Sequence, residues 1–462
     1  MIGEEGETGQ DAQGHGDVDW LLPRFRAWGE RTALVWRDGT LSFNQLCDSA
    51  EFFLAALKRE AILPGETLAI SGDYAAGGVA LLIAALLNRN IVVPIASGRR
   101  EQMLRIAEVT AVAALDGDRA LAVSRTGCDI SHPLLQRLAH QGSAGLILFS
   151  SGSTGESKAA VLDFGALLRK FRAPRRGLTT LVFLLPDHIG GINTLFHVLS
   201  NGGTVVIAPA RTPDAIAKAI AAHRVQLLPT TPTFIRMMII ADVHRRFDLR
   251  SLEVITYGTE PMPPATLAAA REAFPRAKLK QTYGLSELGI LPSQSRNSDS
   301  LWMKLGTAGY EHRIVDGVLH IRADSPMLGY LNAPAPFDAE GWFNTNDLVE
   351  VDGEYVRVVG RRSELINVGG EKVHPTEIED VLMRIDNVRD ATVRARPSPV
   401  TGAVVAARIT PCRPELPEAL RRRIRRFCQE NLERFKVPAV IEIVEHDQHG
   451  ARFKKSRAAP AH

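Results

Sequence analysis

Between residues 67 and 95 the chain reads TLAIS, then GVALLIAALLNR, then NIVVPI. Two short runs rich in β-branched residues flank an Ala- and Leu-rich stretch that is apolar on every face, an order satisfied by a strand, a crossover helix and a second, parallel strand. The same alternation returns in LILFSS (146 to 151), TTLVFLLP (179 to 186), a helix through Thr194 to Ser200, GTVVIAP (203 to 209), a helix near 213 to 223, VQLLPTTP (225 to 232) and SLEVITYG (251 to 258). The fold class expected is therefore α/β, with a large N-terminal region of parallel sheets covered by helices. After Asn344 the texture changes to short strands with turn signals, DLVEVDGEYVRVVGRR. HPTEIEDVLMRI follows, with Thr376 and Glu379 at capping-box spacing ahead of an apolar helix face. DATVRARP, VVAARIT, an Arg-rich helix over 414 to 435 and AVIEIVE complete a small C-terminal α+β unit. The expected division is a disordered tail over 1–17, which has almost nothing apolar to bury, a large domain over 18–359 and a small mobile domain over 360–462.

Composition narrows the function. A formal charge of +3 on 462 residues is too small to argue for nucleic acid or an anionic membrane. Cys47, Cys128, Cys412 and Cys428 are far apart and lack C-x-x-C spacing, so neither a zinc site nor a disulfide framework is indicated. The apolar stretch at 77 to 88 is too short to span a bilayer, and the acidic start MIGEEGETGQDAQGHGD does not read as a secretory leader. A cytoplasmic protein without nucleic-acid or membrane partners is expected.

The segment FSSGSTGESK follows one of the strand patterns directly. Gly152 to Lys158 does not meet the G-x-x-x-x-G-K-[ST] spacing of a Walker loop. Its ingredients still suit a polyanion. Gly152 and Gly155 let backbone N–H groups turn toward phosphate, Ser150, Ser151, Ser153 and Thr154 offer hydroxyls, and Lys158 adds charge.

At this point the chain resembles the adenylate-forming superfamily of acyl-CoA synthetases, stand-alone adenylation domains of peptide synthetases and beetle luciferases. FSSGSTGESK looks like its loop for the β- and γ-phosphates of ATP, and further motifs follow in the family's order: LSFNQL (41 to 46), TYGTEPMPP (256 to 264), QTYGLSELG (281 to 289), FNTNDLVEV (343 to 351) and GRRSELINVGGEKVHPTEIE (360 to 379). The resemblance covers nearly the whole chain from about residue 20. It implies that Gly258, Thr259 and Glu260 face the adenine, that Tyr283 lies along the base, and that Asp347 and Arg361 hold the ribose. Glu287 would bind Mg²⁺ against the phosphates, with Ser286 touching the α-phosphate.

The chemistry is consistent with those residue types. A carboxylic acid is already ionised at pH 7, so its attack on phosphorus needs cations, N–H donors and in-line placement more than a base. The family's C-terminal lysine, normally in G-K-x-x-R, is displaced here: Ala451 follows Gly450, and the K-x-x-R spacing is met by Lys454 and Arg457. Lys454 is assigned, with Lys455 as the alternative. Ser363 occupies the hinge position where Asp or Lys is usual, and VGGEKV (368 to 373) would face the site in a second, thioester-forming arrangement.

LPDHIGGINTLFH (185 to 197) falls on the family's substrate helix. His188, rather than Asp187, is placed at the pocket, which favours an aryl or fatty acid without an α-amine; a histidine satisfied within the core is the competing reading. Gly190, Gly191 and Asn193 would shape the pocket floor, and Tyr257, Gly284 and Leu285 its walls. The implied activity is ATP-dependent formation of acyl-AMP, followed by transfer to coenzyme A or to the phosphopantetheine of a separate carrier protein. An amine acceptor, or a non-catalytic homologue that binds nucleotide and acid, remains open.

Overall fold

A computed structural model describes residues 18–37, 39–96, 100–117, 120–151, 157–306, 308–450 and 452–455. The expected tail over 1–17, the turn residues Gly152, Ser153, Thr154 and Gly155, and Arg457 lie outside the described residues.

Two seven-stranded sheets form the large region. In the first the order is Lys278–Gln281, Val254–Tyr257, Leu227–Thr230, Thr180–Leu181, Val205–Ile207, Thr32–Trp36 and Gly39–Ser42. In the second it is Gly329–Tyr330, Ser157–Asp163, Gly145–Ser151, Ile91–Ile95, Thr67–Ser71, Ala111–Asp116 and Ala120–Arg125. Their centres are parallel; antiparallel strands finish both edges of the second sheet, notably Ser157–Asp163 against Gly145–Ser151, and the Gly39–Ser42 edge of the first, whose other edge, Lys278–Gln281, is parallel. Ser150 and Lys158, from the two ends of the FSSGSTGESK segment, stand opposite each other in the antiparallel pair of Gly145–Ser151 with Ser157–Asp163, as do Ser151 and Ser157.

Helix Ala76–Leu87 explains why the sequence there is apolar all round. It is buried in one continuous cluster with side chains of both sheets, such as Leu34 and Val205 from the first and Leu68, Val92 and Leu146 from the second. Helix Ile189–Ser200 shares this layer, so its residues decide what lies between the sheets. Gly191 is required there by close approach: a Cβ would stand 2.0 Å from the Leu185 carbonyl oxygen. We expect Gly191→Ala to lower stability by about 1–3 kcal/mol or more, measured by denaturant unfolding, because backbone rather than a movable side chain opposes it.

A six-stranded antiparallel sheet follows, in the order Ser293–Ser295, Met303–Leu305, Tyr355–Arg361, Phe343–Asp352, Val318–Ala323 and Tyr310–Val315. The C-terminal unit has its own core, from Ile366 to Ile441, built from helices Pro375–Leu382 and Pro417–Asn431 on the sheet Val388–Ser398, Gly402–Pro411 and Val440–Ile443. The expected capping box does not form. His374 occupies the cap position without a side-chain cap, Thr376 Oγ1 donates instead to the Val359 carbonyl, and Glu379 accepts from the Val393 N–H. Pro375 at the first helical position moves Thr376 inside the helix, out of capping reach. Among the described residues no helix is long and apolar enough to cross a membrane.

Candidate active site

Strands Leu227–Thr230, Val254–Tyr257 and Lys278–Gln281 run parallel in register and end together, so the turns after them converge, as ligand loops do at the carboxyl edge of such sheets. Thr230, Gly258, Thr259, Thr282, Gly284, Leu285, Ser286 and Glu287 meet there one wall of a cavity of about 1030 Å³. Ser150 and Ser157 of the hairpin, the first turns of helix Ile189–Ser200, and Arg361, Ser363 and Lys454 from later in the chain complete it. Gly258 admits this closeness, since a Cβ would lie 2.7 Å from both the carbonyl and the hydroxyl oxygen of Thr282. The next residue, Thr259, holds a left-handed φ of 72°. Its hydroxyl and that of Thr230 are buried without a partner among the described residues.

Two buried carboxylates stand beside this wall. Glu287, 8% exposed, accepts a 2.6 Å bond from the Tyr330 hydroxyl through Oε1. The Lys158 ammonium lies 5.3 Å from the centre of the Tyr330 ring, so one tyrosine joins the hairpin to the carboxylate. Asp347 takes a 2.6 Å bond from the Tyr283 hydroxyl on Oδ2 and faces Arg361 Nε at 3.3 Å on Oδ1. Burial pushes the Asp347 carboxyl up, while Arg361 and Tyr283 oppose the shift. The antiparallel pairing of Asp347 with Arg361 fixes this pair, and Asn346, at φ 62°, donates to Ser363 Oγ at 2.8 Å.

The segment 452–455 enters from the C-terminal unit and is tied down on both sides of Lys454. Arg452 donates to the Phe149 carbonyl at 3.2 Å and pairs at 3.4 Å with Asp187, which is buried. Phe453 packs between Phe183 and Phe234, with ring centres 5.2 and 5.1 Å away, and its carbonyl accepts from Thr231 Oγ1. Lys455 turns back into its own unit, where its ammonium donates to the Ala391 carbonyl at 2.9 Å and faces Asp390 at 3.5 Å and Glu379 at 3.7 Å. Lys454 borders the cavity. Loss of hydration, then Arg361, holds its ammonium below the usual lysine range, against Glu260, Glu364 and Asp347.

Helix Ile189–Ser200 carries the other wall. His188 caps it, Nδ1 accepting from the Gly190 N–H at 3.0 Å, so Nε2 bears the proton of the neutral ring. Burial first, then Arg452 and Lys454, depress the imidazole to about 3, which keeps it neutral throughout the physiological range. His188 is therefore both a satisfied structural residue and part of the cavity lining. Replacing it with alanine should cost about 0.5–2 kcal/mol in thermal unfolding, whereas asparagine, another good cap, should retain most of that stability.

Several expected placements are corrected. Glu260 does not face the cavity: Oε1 accepts from the Thr233 N–H and hydroxyl, and Oε2 from the Lys455 N–H, so it pins the C-terminal segment to helix Pro232–Ile240. Tyr257 is buried in the cluster beneath the first sheet, because strand alternation turns it away from the end where Gly258 opens. Gly191 faces the Leu185 backbone rather than the pocket, and the Tyr283 ring packs with Leu288 and Leu291 below the wall. Gly190, Asn193, Gly284 and Leu285 do line the cavity. Tyr330 and Arg452 were not singled out from sequence, and Asp187 was set aside for the pocket, which it does not line; the Tyr330–Glu287 and Arg452–Asp187 pairs lie 43 and 265 residues apart in the chain, and no local pattern joins them.

Two family models match the chain, one described as AMP-binding enzyme over residues 23–331 and one as AMP-binding enzyme C-terminal domain over 377–454. An indoleacetate–CoA ligase of Aromatoleum aromaticum is 31% identical over 65% of this chain, and the match spans 63% of that protein, less than two thirds of its length. A 2-succinylbenzoate–CoA ligase of Bacillus pumilus is 27% identical over 95% of this chain and 96% of its own length. Among solved structures, the anthranilate CoA ligase AuaEII in complex with anthranoyl-AMP superposes with a TM-score of 0.80 at 20% identity, covering 94% of this chain and 95% of that one.

Proposed function

The chain belongs to the AMP-binding enzymes, the adenylate-forming superfamily, and from that premise we propose that it activates a carboxylic acid with ATP to an acyl-AMP, releases pyrophosphate, and passes the acyl group to the thiol of coenzyme A. One observation supports this most: Lys454, Arg361 with Asp347 paired behind it, and the hairpin residues Ser150 and Ser157, widely separated in sequence, meet at one cavity. The CoA ligases among its relatives favour the thiol acceptor.

In this scheme Asp347, steadied by Tyr283, accepts from the ribose hydroxyls and Arg361 donates beside it. The unpartnered Thr259 and Thr230 hydroxyls and the open Gly258 backbone meet the base and α-phosphate side, with Ser286 nearby. The hairpin turn and Lys158 take the β- and γ-phosphates. Among the described residues no group of three or more His, Cys, Asp or Glu side chains is poised for a metal. A magnesium ion arriving with ATP would be held on the protein side by Glu287 and would supply positive charge against the phosphates. The acid carboxylate attacks the α-phosphorus as pyrophosphate leaves, and Lys454 offsets the negative charge that two approaching anions concentrate. No residue has to remove a proton.

Residues 360–462 act as the mobile unit, pivoting near Ser363 so that Lys454 withdraws and VGGEKV presents its backbone to the thiol. The test is to incubate the protein with MgATP, an acid panel and coenzyme A and identify the products by mass spectrometry. AMP formed in step with thioester is expected. Turnover to ADP, or acyl transfer only to amines, would refute the proposal.

A further inference from the structure

The cavity does not end at the nucleotide. At its other end it is bordered by Lys170, Arg175, Lys280 and His197. They arrive from separate parts of the chain: the short turn Arg169–Phe171, the segment before strand Thr180–Leu181, strand Lys278–Gln281, and the last turn of helix Ile189–Ser200. Among the described residues no carboxylate pairs with Lys170, Arg175 or Lys280; the Lys170 ammonium donates to the Ile290 carbonyl at 3.1 Å. Neighbouring Arg176 shows the contrast, being neutralised by both oxygens of Glu253 at 2.9 and 3.0 Å. Asn193, on the same helix face as His197, has a buried amide oxygen without a partner among the described residues and lines the same space.

Arg175 acts on each of the other three groups, and Lys170 and Lys280 act on His197. Burial and then Arg175 lower Lys170 to about 8 and also lower Lys280, and burial followed by Arg175, Lys170 and Lys280 holds His197 near 4. Gathering like charges in a half-enclosed space is unfavourable unless an anion enters it. The helix sets the geometry: His188 and His197 are nine residues apart, about 13 Å along the axis at 1.5 Å per residue. The cationic wall is therefore well separated from the end where Arg452 and Lys454 enter.

Resting on the acid-activating function proposed above, we infer that the substrate is a dicarboxylic acid. One carboxylate faces the nucleotide, and the other docks among Lys170, Arg175 and Lys280. An aliphatic tail of the fatty type would leave these charges uncompensated.

Matched pairs of acids that differ by one distal carboxylate, such as hexanoate and adipate or 4-phenylbutyrate and its ring-carboxylated analogue, test this in acid-dependent pyrophosphate exchange. In the unaltered protein kcat/KM should favour a diacid by about 10- to 100-fold, the range expected for charge-assisted hydrogen bonds. Lys170→Met and Lys280→Met, at side chains that border the cavity, should raise KM for the diacid by a similar factor and leave the monoacid unchanged. Titration of diacid into protein with AMP, by calorimetry, reads the same loss without turnover. Equal use of both members of every pair overturns the inference and leaves acid activation standing. So does a variant effect confined to KM for coenzyme A, which would assign the cations to its phosphates. Absence of exchange with any acid overturns both proposals.

Discussion

Lys454→Ala should slow acid-dependent pyrophosphate exchange by about 10²–10³-fold, the usual cost of removing one preorganised group from developing negative charge. The reason lies in the packing on either side of it. Arg452 and Phe453 anchor the segment to the large region, and both lysines border the cavity, but the Lys455 ammonium is held by the Ala391 carbonyl, Asp390 and Glu379. Thioester formation from chemically prepared acyl-AMP should be affected far less, because the lysine serves only the first step. Lys455→Ala should behave in the opposite way, destabilising the small domain by about 1–3 kcal/mol as buried acceptors lose their donor, with little change in exchange by folded protein. If the two variants exchange at equal rates, the assignment of Lys454 is wrong.

Glu287→Gln should be nearly as damaging. The amide keeps the side chain's shape and can still accept from the Tyr330 hydroxyl, so folding is spared. What is lost is the negative charge available to magnesium. Exchange should fall by about 10²-fold or more, each factor of ten corresponding to about 1.4 kcal/mol of stabilisation. The magnesium concentration giving half-maximal rate should rise as well. An unchanged magnesium dependence would leave the Glu287–Tyr330 pair as a structural contact only.

How far these features could be read from the chain depends on how local their causes are. The β-α-β run from Thr67 to Ile95 is visible because burial on every face leaves an unbroken apolar run, and the sheet pairs it as expected. The capping box failed because Pro375 competes for the helix start, a steric effect that the spacing of Thr376 and Glu379 does not express. Within the site, motif residues on glycine-containing turns, such as Gly258 and Gly284, were legible because backbone proximity demands glycine there. The direction of neighbouring side chains was not. Tyr257 and Glu260 flank the same turn and both point away, since one step along a strand reverses the face and a free carboxylate turns to nearby N–H donors. The cationic wall was least legible of all: Lys170, Arg175, His197 and Lys280 carry no motif, and only the packing of helix Ile189–Ser200 between the sheets brings them together.

The most direct test of the central claim is exchange of labelled pyrophosphate into ATP with magnesium, measured with and without a panel of mono- and dicarboxylic acids, because it reads reversal of acyl-AMP formation without needing the acceptor. Label entering ATP only when a suitable acid is present is the expected result. No exchange with any acid, from folded protein that binds MgATP, would contradict acid activation at this site.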